Sequence, residues 1–210
     1  GIAETVRKLT EYYRFQAGEP VESNRPYAVT PHLIAHHLTT SSFYAILSNS
    51  GKAMFIDYGA ASGTHFSNMM NATATSDRIR FVEHSIDHLR KNYGMKSVDV
   101  AMPSHMHDDH MNGFPHLIRN YGTQIWCYEN MVDVFENPRG YNLGCILGEP
   151  FKIARSFKHG EKFRWEEYEF EVAHNPGHTE YQMALYVSID GQRVAFSGDA
   201  FFMPNPRNDG

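Results

Sequence analysis

The stretch His105-Met106-His107-Asp108-Asp109-His110 packs imidazoles and carboxylates into six positions, directly after a short β-branched run at 97–101. Side chains two apart on an extended chain point the same way, so His105 and His107 are expected to converge on one point. Asp109 and His110 lie where the chain turns toward the next element and can reach a second point on the other side. Pro103-Ser104 before the cluster and Asn112-Gly113 after it mark a loop. Helix-like spacing at 114–121 and a strand-like run at 124–128 follow. The unit is therefore strand, loop, helix, strand, with the histidines at the carboxyl end of its first strand, where α/β sheets usually bind ligands. For any one of these residues a solvated loop or a helix cap is the plainer reading. Four ligand-type residues in six positions outweigh it. Imidazole and carboxylate donors suit a borderline ion such as zinc, and the lack of thiolates nearby speaks against a closed structural site.

The rest of the chain supplies a frame for that loop. Its 210 residues, 41% hydrophobic, fit one domain. Residues 1–31 hold a helix-like run at 4–15 and then Gly18, Pro20, Pro26 and Pro31, the signature of an amino-terminal arm, so the core domain is taken as 32–210. Apolar runs at 43–48 and 53–57 flank Asn49-Ser50-Gly51-Lys52 as a hairpin. Ile79, Val82, Ile86, Leu89 and Tyr93 recur at spacings of three and four before Gly94, an amphipathic helix over 78–93. Beyond a Gly-, Pro- and Asn-rich stretch at 136–150, strands are expected at 168–173, 182–189 and 193–197, the last two joined by Asp190-Gly191. Hairpins with interspersed helices predict an α/β sandwich, sheets inside and helices outside.

Composition narrows the partners. Lys and Arg number 19 against 24 Asp and Glu, a net charge of -5, so no nucleic acid is expected. No apolar run approaches the roughly 20 residues that span a bilayer, so no membrane association is expected. A cytoplasmic setting is the default expectation, although a chain that starts at Gly1 leaves room for a removed leader. Cys127 and Cys145 form no close pair and read as packing residues. Thirteen histidines are many for this length. His84 and His88, one helical turn apart, read as a polar helix flank. His32, His36, His37, His116 and His159 carry no assigned role, His65 is a rim candidate, and His174 is a strand-end residue or a support for the loop after it. The Phe-rich stretch at 196–202 reads as core packing.

Two later segments complement the first cluster. Asn175-Pro176-Gly177-His178-Thr179 follows a strand, and Phe196-Ser197-Gly198-Asp199 ends another. Alone, His178 is a turn residue and Asp199 a helix cap. In this order, however, His-x-His-x-Asp-His at 105–110, Pro-Gly-His-Thr at 176–179 and Ser-Gly-Asp at 197–199 resemble the metallo-β-lactamase superfamily. Residues 53–59, ending in Asp57-Tyr58-Gly59, resemble its early strand with Asp-x-Gly. The likeness spans about residues 32–203.

That resemblance implies an αββα sandwich holding two metal ions, with zinc first and iron or manganese as alternatives. His105, His107 and His178 would bind one ion, Asp109 and His110 the other, and Asp199 would bridge them, while Asp57 reads equally as a support for the site or as a plain strand-end residue. It implies a hydrolase that directs a metal-bound hydroxide at the carbonyl of an ester, thioester, lactone or lactam, with Asp109 as the catalytic residue that orients the nucleophile and shuttles its proton. The motifs look most like the glyoxalase II and lactonase members, although Glu180 and Tyr181 stand where many of those carry Pro-Gly or Ser-Gly. His107 argues against the flavodiiron branch, which has glutamate there. The alternatives are a phosphodiesterase or nuclease, an iron-dependent persulfide dioxygenase, and a non-catalytic metal-binding interaction domain. The pattern departs from many dinuclear members in one respect, since no histidine follows His178 and the chain stops at Gly210, soon after Asp199. On this reading the carboxyl-terminal part of the sandwich is truncated, and a missing segment or a second copy of the chain completes the site around a small-molecule substrate.

Overall fold

A computed structural model describes residues 25–37, 41–59 and 83–201. The first strands form a meander: β1 (Tyr27–Thr30), β2 (Leu33–His37), β3 (Ser42–Leu47) and β4 (Lys52–Ile56) pair antiparallel in sequence order. β3 and β4 meet through the hairpin expected at Asn49 to Lys52, with Leu47 opposite Ala53. The sheet thus begins earlier than the boundary read after residue 31, because β1 lies in the segment assigned to the arm. The helix-like run at 4–15 falls outside the described residues.

From β4 onward the sheet turns parallel, which requires crossovers. Helix α1 (Glu83–Tyr93) leads into β5 (Ser97–Met102), which pairs parallel with β4. Ile86 and Leu89 of α1 are fully buried, as the spacing predicted, while residues 78–82 of the predicted helix lie outside the described set. The short α2 (Asp108–Met111) and α3 (Phe114–Tyr121) lead to β6 (Gln124–Tyr128), parallel to β5. Helix α3 is the helix-like segment read from sequence: Phe114 and Leu117 are buried, and it packs on β5 and β6. Helix α4 (Val132–Glu136) precedes β7 (Arg155–Phe157), which completes a seven-stranded sheet in the order β1 to β7.

A second, antiparallel sheet runs β11-β10-β9-β8, built from β8 (Lys162–Trp165), β9 (Tyr168–His174), β10 (Met183–Ile189) and β11 (Gln192–Phe196). The alternation of buried and exposed residues in β8 and β9 directs Phe163, Trp165, Tyr168, Phe170 and Val172 inward. Aromatic contacts join the two sheets. Phe157 of β7 stacks on Phe163 at 4.3 Å, and Tyr44 of β3 meets Phe196 of β11 at 5.2 Å between ring centres. The outer face of the second sheet is exposed at Tyr186, Ser188, Arg193 and Ala195. Core packing, the expectation for the Phe-rich end, holds for buried Phe196 and fails for Phe201, which is 84% exposed. Strands β1, β2, β7 and β8 and helices α2 and α4 were not read from sequence.

Candidate metal centre

The loop after β5 is fastened on every side before any ligand is considered. Asp57 N donates to Met102 O, and Tyr58 N donates to His110 O at 2.8 Å, so the end of β4 is stitched to the end of β5 and to α2. Gly113 N returns a bond to Tyr58 O. On the other flank Met183 N donates to Ser104 O, Met106 N to Tyr181 O, and Asp108 N to Cys145 O. His105 bridges to Gln182 and His107 to Ile146. The histidine loop therefore ties the first sheet to the start of β10 and to the irregular segment around 145. Two glycines permit this crowding. A Cβ on Gly59 would lie 2.4 Å from Asp109 O, and one on Gly198 would lie 2.7 Å from Ser104 Oγ.

Six residues were expected to act together, and five of them converge. His105 Nε2 lies 3.1 Å from His107 Nδ1, and His178 Nε2 lies 3.0 Å from the same atom. Two nitrogens on one tetrahedral zinc at about 2.0–2.1 Å stand roughly 3.3–3.4 Å apart. The three imidazoles are thus spaced close to what one ion requires. A second set, His105, His110 and Asp199, also places its ligand atoms within 4.8 Å of one another. Asp199 faces both sets, with Oδ1 3.4 Å from His110 Nε2 and Oδ2 3.8 Å from His178 Nε2. Asp109, paired with His110 in the sequence reading, has Oδ2 3.8 Å from His110 Nε2 but belongs to neither tight set. The ring of His105 lies between those of His107 and His110, at 4.7 and 4.2 Å, so its ligand atom is near both sets.

The far sides of two of these rings are held as well. His110 Nδ1 is 2.9 Å from Asp57 Oδ2, and His105 Nδ1 is 3.0 Å from Ser104 Oγ. Ser104 in turn donates its backbone N–H to Asp57 Oδ1 at 2.6 Å and its hydroxyl to Asp57 Oδ2 at 2.9 Å. Asp57, weighed equally as a plain strand-end residue, is a buried support for the site. In the sequence Ser104 marks only the loop before the cluster. A hydroxyl beside a histidine carries no periodic signal, so only its contacts reveal it.

Electrostatics favours a cation at this place. Burial, then the neighbouring His110, His107 and His178, hold His105 far below its ordinary value. Burial and His178 push His107 down to about 4. Both rings are therefore neutral, the form that binds metal. At His110 burial works the opposite way to its neighbours: the Asp57 charge, the adjacent Asp199 and Asp109 overcome it and hold the ring well above 6.5. Asp199 is held below its ordinary value by His110, His178 and His107, against the effect of burial. His110 Nε2 is fully buried and makes no hydrogen bond, with Asp199 Oδ1 3.4 Å away. An orphaned nitrogen facing carboxylates, next to three crowded imidazoles, fits a metal ion. A cleft of about 1010 Å³ opens onto His110 and Asp199 from between Tyr44 and Phe196.

The remaining histidines have other contacts. His174 stacks on Tyr128 and bonds to Glu180 O, and His159 Nδ1 accepts from His174 N. His32 pairs with Asp190. His65 and the side chains of His37 and His84 lie outside the described residues.

No curated protein matches the chain. Among solved structures it is similar to a metallo-beta-lactamase from Cronobacter sakazakii with a HARLDQ motif, at 19% identity and a TM-score of 0.63, covering 87% of this chain and 64% of that one. A subclass B3 metallo-beta-lactamase of Bradyrhizobium japonicum gives 17% identity and a TM-score of 0.61 over 86% and 62% of the two chains. A class B3 di-zinc metallo-beta-lactamase from an Alaskan soil metagenome gives 15% and 0.61 over 84% and 65%. The chain spans less than two thirds of these neighbours' length. The family model of the metallo-beta-lactamase superfamily matches residues 75–210, well over half of the sequence and all six residues singled out from it, and so the protein belongs to that superfamily.

Proposed function

We propose that the protein is a metal-dependent hydrolase that cleaves an ester, thioester, lactone or lactam, with zinc as the ion and a small molecule as substrate. The observation that carries this reading is the approach of His105 Nε2 and His178 Nε2 to His107 Nδ1, at 3.1 and 3.0 Å, beside the orphaned nitrogen of His110. The di-zinc description of one structural neighbour supports the choice of ion. Bound there, a divalent transition ion supplies Lewis acidity and eases the loss of a proton from a coordinated water. His105, His107 and His178 would hold the first ion. His110 and Asp199 would hold the second, with Asp199 turned toward both. Asp109, buried and 3.8 Å from His110 Nε2, is the carboxylate placed to hold a proton at Oδ2 and return it to the leaving group. No serine or cysteine hydroxyl or thiol is needed as nucleophile.

The two ligand sets are unequal, since one has three imidazoles and the other His110 with carboxylates. The expected result of titration with zinc is stepwise loading, the first ion surviving dialysis and the second only partly retained. Substituting His107→Ala should remove the first ion, with a loss larger than the roughly 10–100-fold that follows the loss of a mere supporting contact. Elemental analysis before and after chelation, run beside a panel of ester, thioester, lactone and lactam substrates, tests both points. Protein that takes up no stoichiometric zinc, iron or manganese refutes the reading, as does hydrolysis that survives chelation.

A further inference from the structure

Ser104 is 2% exposed and has one hydroxyl proton to give. That proton goes to Asp57 Oδ2, at 2.9 Å. The reverse orientation would set the Oγ lone pairs against a carboxylate oxygen at that distance, away from water. The contact of Ser104 Oγ with His105 Nδ1, 3.0 Å, must therefore be made with the ring's proton: His105 Nδ1–H donates and Ser104 Oγ accepts. The lone pair of His105 is then left on Nε2, the atom 3.1 Å from His107 Nδ1. His110 is oriented in parallel fashion, its Nδ1 on the same Asp57 oxygen and its Nε2 facing Asp199.

We propose that Ser104 is a positioning residue that fixes the tautomer and the orientation of His105, relaying to that ring the carboxylate which His110 meets directly. This rests on reading the histidine cluster as a metal centre. One buried carboxylate thus turns the Nε2 of both rings toward the ligand sets, directly at His110 and through a serine hydroxyl at His105. The surroundings make the hydroxyl hard to replace. The turn carrying Asp199 presses on the relay so closely that a Cβ on Gly198 would meet Ser104 Oγ at 2.7 Å and His105 Nδ1 at 3.3 Å. The space left by a deleted hydroxyl is smaller than a water needs, so His105 Nδ1–H would lose its acceptor without a substitute.

The test compares the wild type with Ser104→Ala and Ser104→Thr, using two measurements. Nitrogen-15 NMR of the metal-free protein reads the tautomer of His105 directly. Zinc titration, with cobalt substitution as a spectroscopic check on ligand geometry, reads the affinity of each ion. The proposal expects His105 protonated on Nδ1 in the wild type and in Ser104→Thr. In Ser104→Ala it expects a mixture of tautomers and an affinity for the first ion lower by roughly 10–100-fold. It also expects the His110 ring nitrogen signals to be unchanged in Ser104→Ala, since that ring meets Asp57 without the serine. Finding His105 protonated on Nε2 in the wild type overturns the proposal, as does a folded Ser104→Ala with unaltered tautomer and affinity. Should Ser104→Ala fail to fold, the wild-type and Ser104→Thr spectra decide. Should no metal bind at all, the metal reading fails, while the tautomer still decides the role of Ser104.

Discussion

Asp57 shows how much of the centre hangs on one side chain. It sits at φ 60°, in the left-handed region, and is 4% exposed. Its two oxygens accept three bonds: the Ser104 amide, the Ser104 hydroxyl and the His110 ring. Asp57→Asn keeps one acceptor and turns an NH2 group toward donors, leaving at least one buried donor unpaired at about 1–3 kcal/mol each. With the lost charge against His110 added, the expected fall in unfolding free energy of the metal-free protein is on the order of 3 kcal/mol. Urea denaturation measures it, and a change below about 1 kcal/mol would show that the carboxylate is not the anchor described. Zinc affinity should fall at both ligand sets in this variant, in contrast to the one-sided loss expected at Ser104. Sequence alone left Asp57 balanced between a strand end and a support, because the contact partners are 47 and 53 residues away along the chain.

At the scale of elements, what matters is how closely β4 and α2 approach. The segment after β4 lies against α2 so tightly that Gly59 has no room for a Cβ, its nearest neighbours being backbone atoms of Asp109 and His110. Backbone cannot swing aside as a flexible side chain can. Gly59→Ala should therefore cost about 3 kcal/mol or more, the upper range for overpacking, and should displace Asp109 and His110 together. Thermal unfolding combined with zinc titration checks this: a variant with wild-type stability and two intact binding steps would contradict the packing. Elements with strong local signals were legible. Helices α1 and α3 show apolar spacing of three and four, and the hairpins at 49–52 and 190–191 carry their turn residues. The missed elements are short. β7 has three residues, β8 four and α4 five, too few for a period to establish itself, and each is held by tertiary contacts such as the stack of Phe157 on Phe163.

Taken as a whole, the molecule balances opposite proton demands within one cluster, and its stability without metal should show a maximum in pH. His105 and His107 are held below the ordinary 6.5, so in the range below that value the unfolded chain binds more protons than the folded one. Their contribution is lost as pH falls from about 6.5 toward 4. His110 is held above 6.5, so its contribution is complete below that value and is lost as pH rises through its folded value. Thermal midpoints of chelator-treated protein should therefore peak near pH 6.5 and decline on both sides. A midpoint that climbs steadily from pH 5 to 9 would contradict the placement of His110 among its carboxylates. Saturating zinc should flatten the alkaline decline, because the ion replaces the proton that His110 otherwise holds.

The residue types and their order were enough to determine the ligand candidates and the sandwich. A histidine pair two apart on an extended chain must point one way, and alternating or helical apolar spacing assigns each long segment its face. Only the tertiary structure decided how the ligands group. The ligand atoms of His105, His110 and Asp199 come within 4.8 Å of one another because ring placement depends on which loops are stitched together across the two sheets. It likewise decided that Tyr27–Thr30 joins the sheet rather than the arm, and that Ser104 stands between Asp57 and His105. Periodicity reports the neighbours a residue has along its own element. Hydrogen bonds that span some fifty residues or join the ends of separate strands leave no local trace, and in this protein those bonds hold the centre.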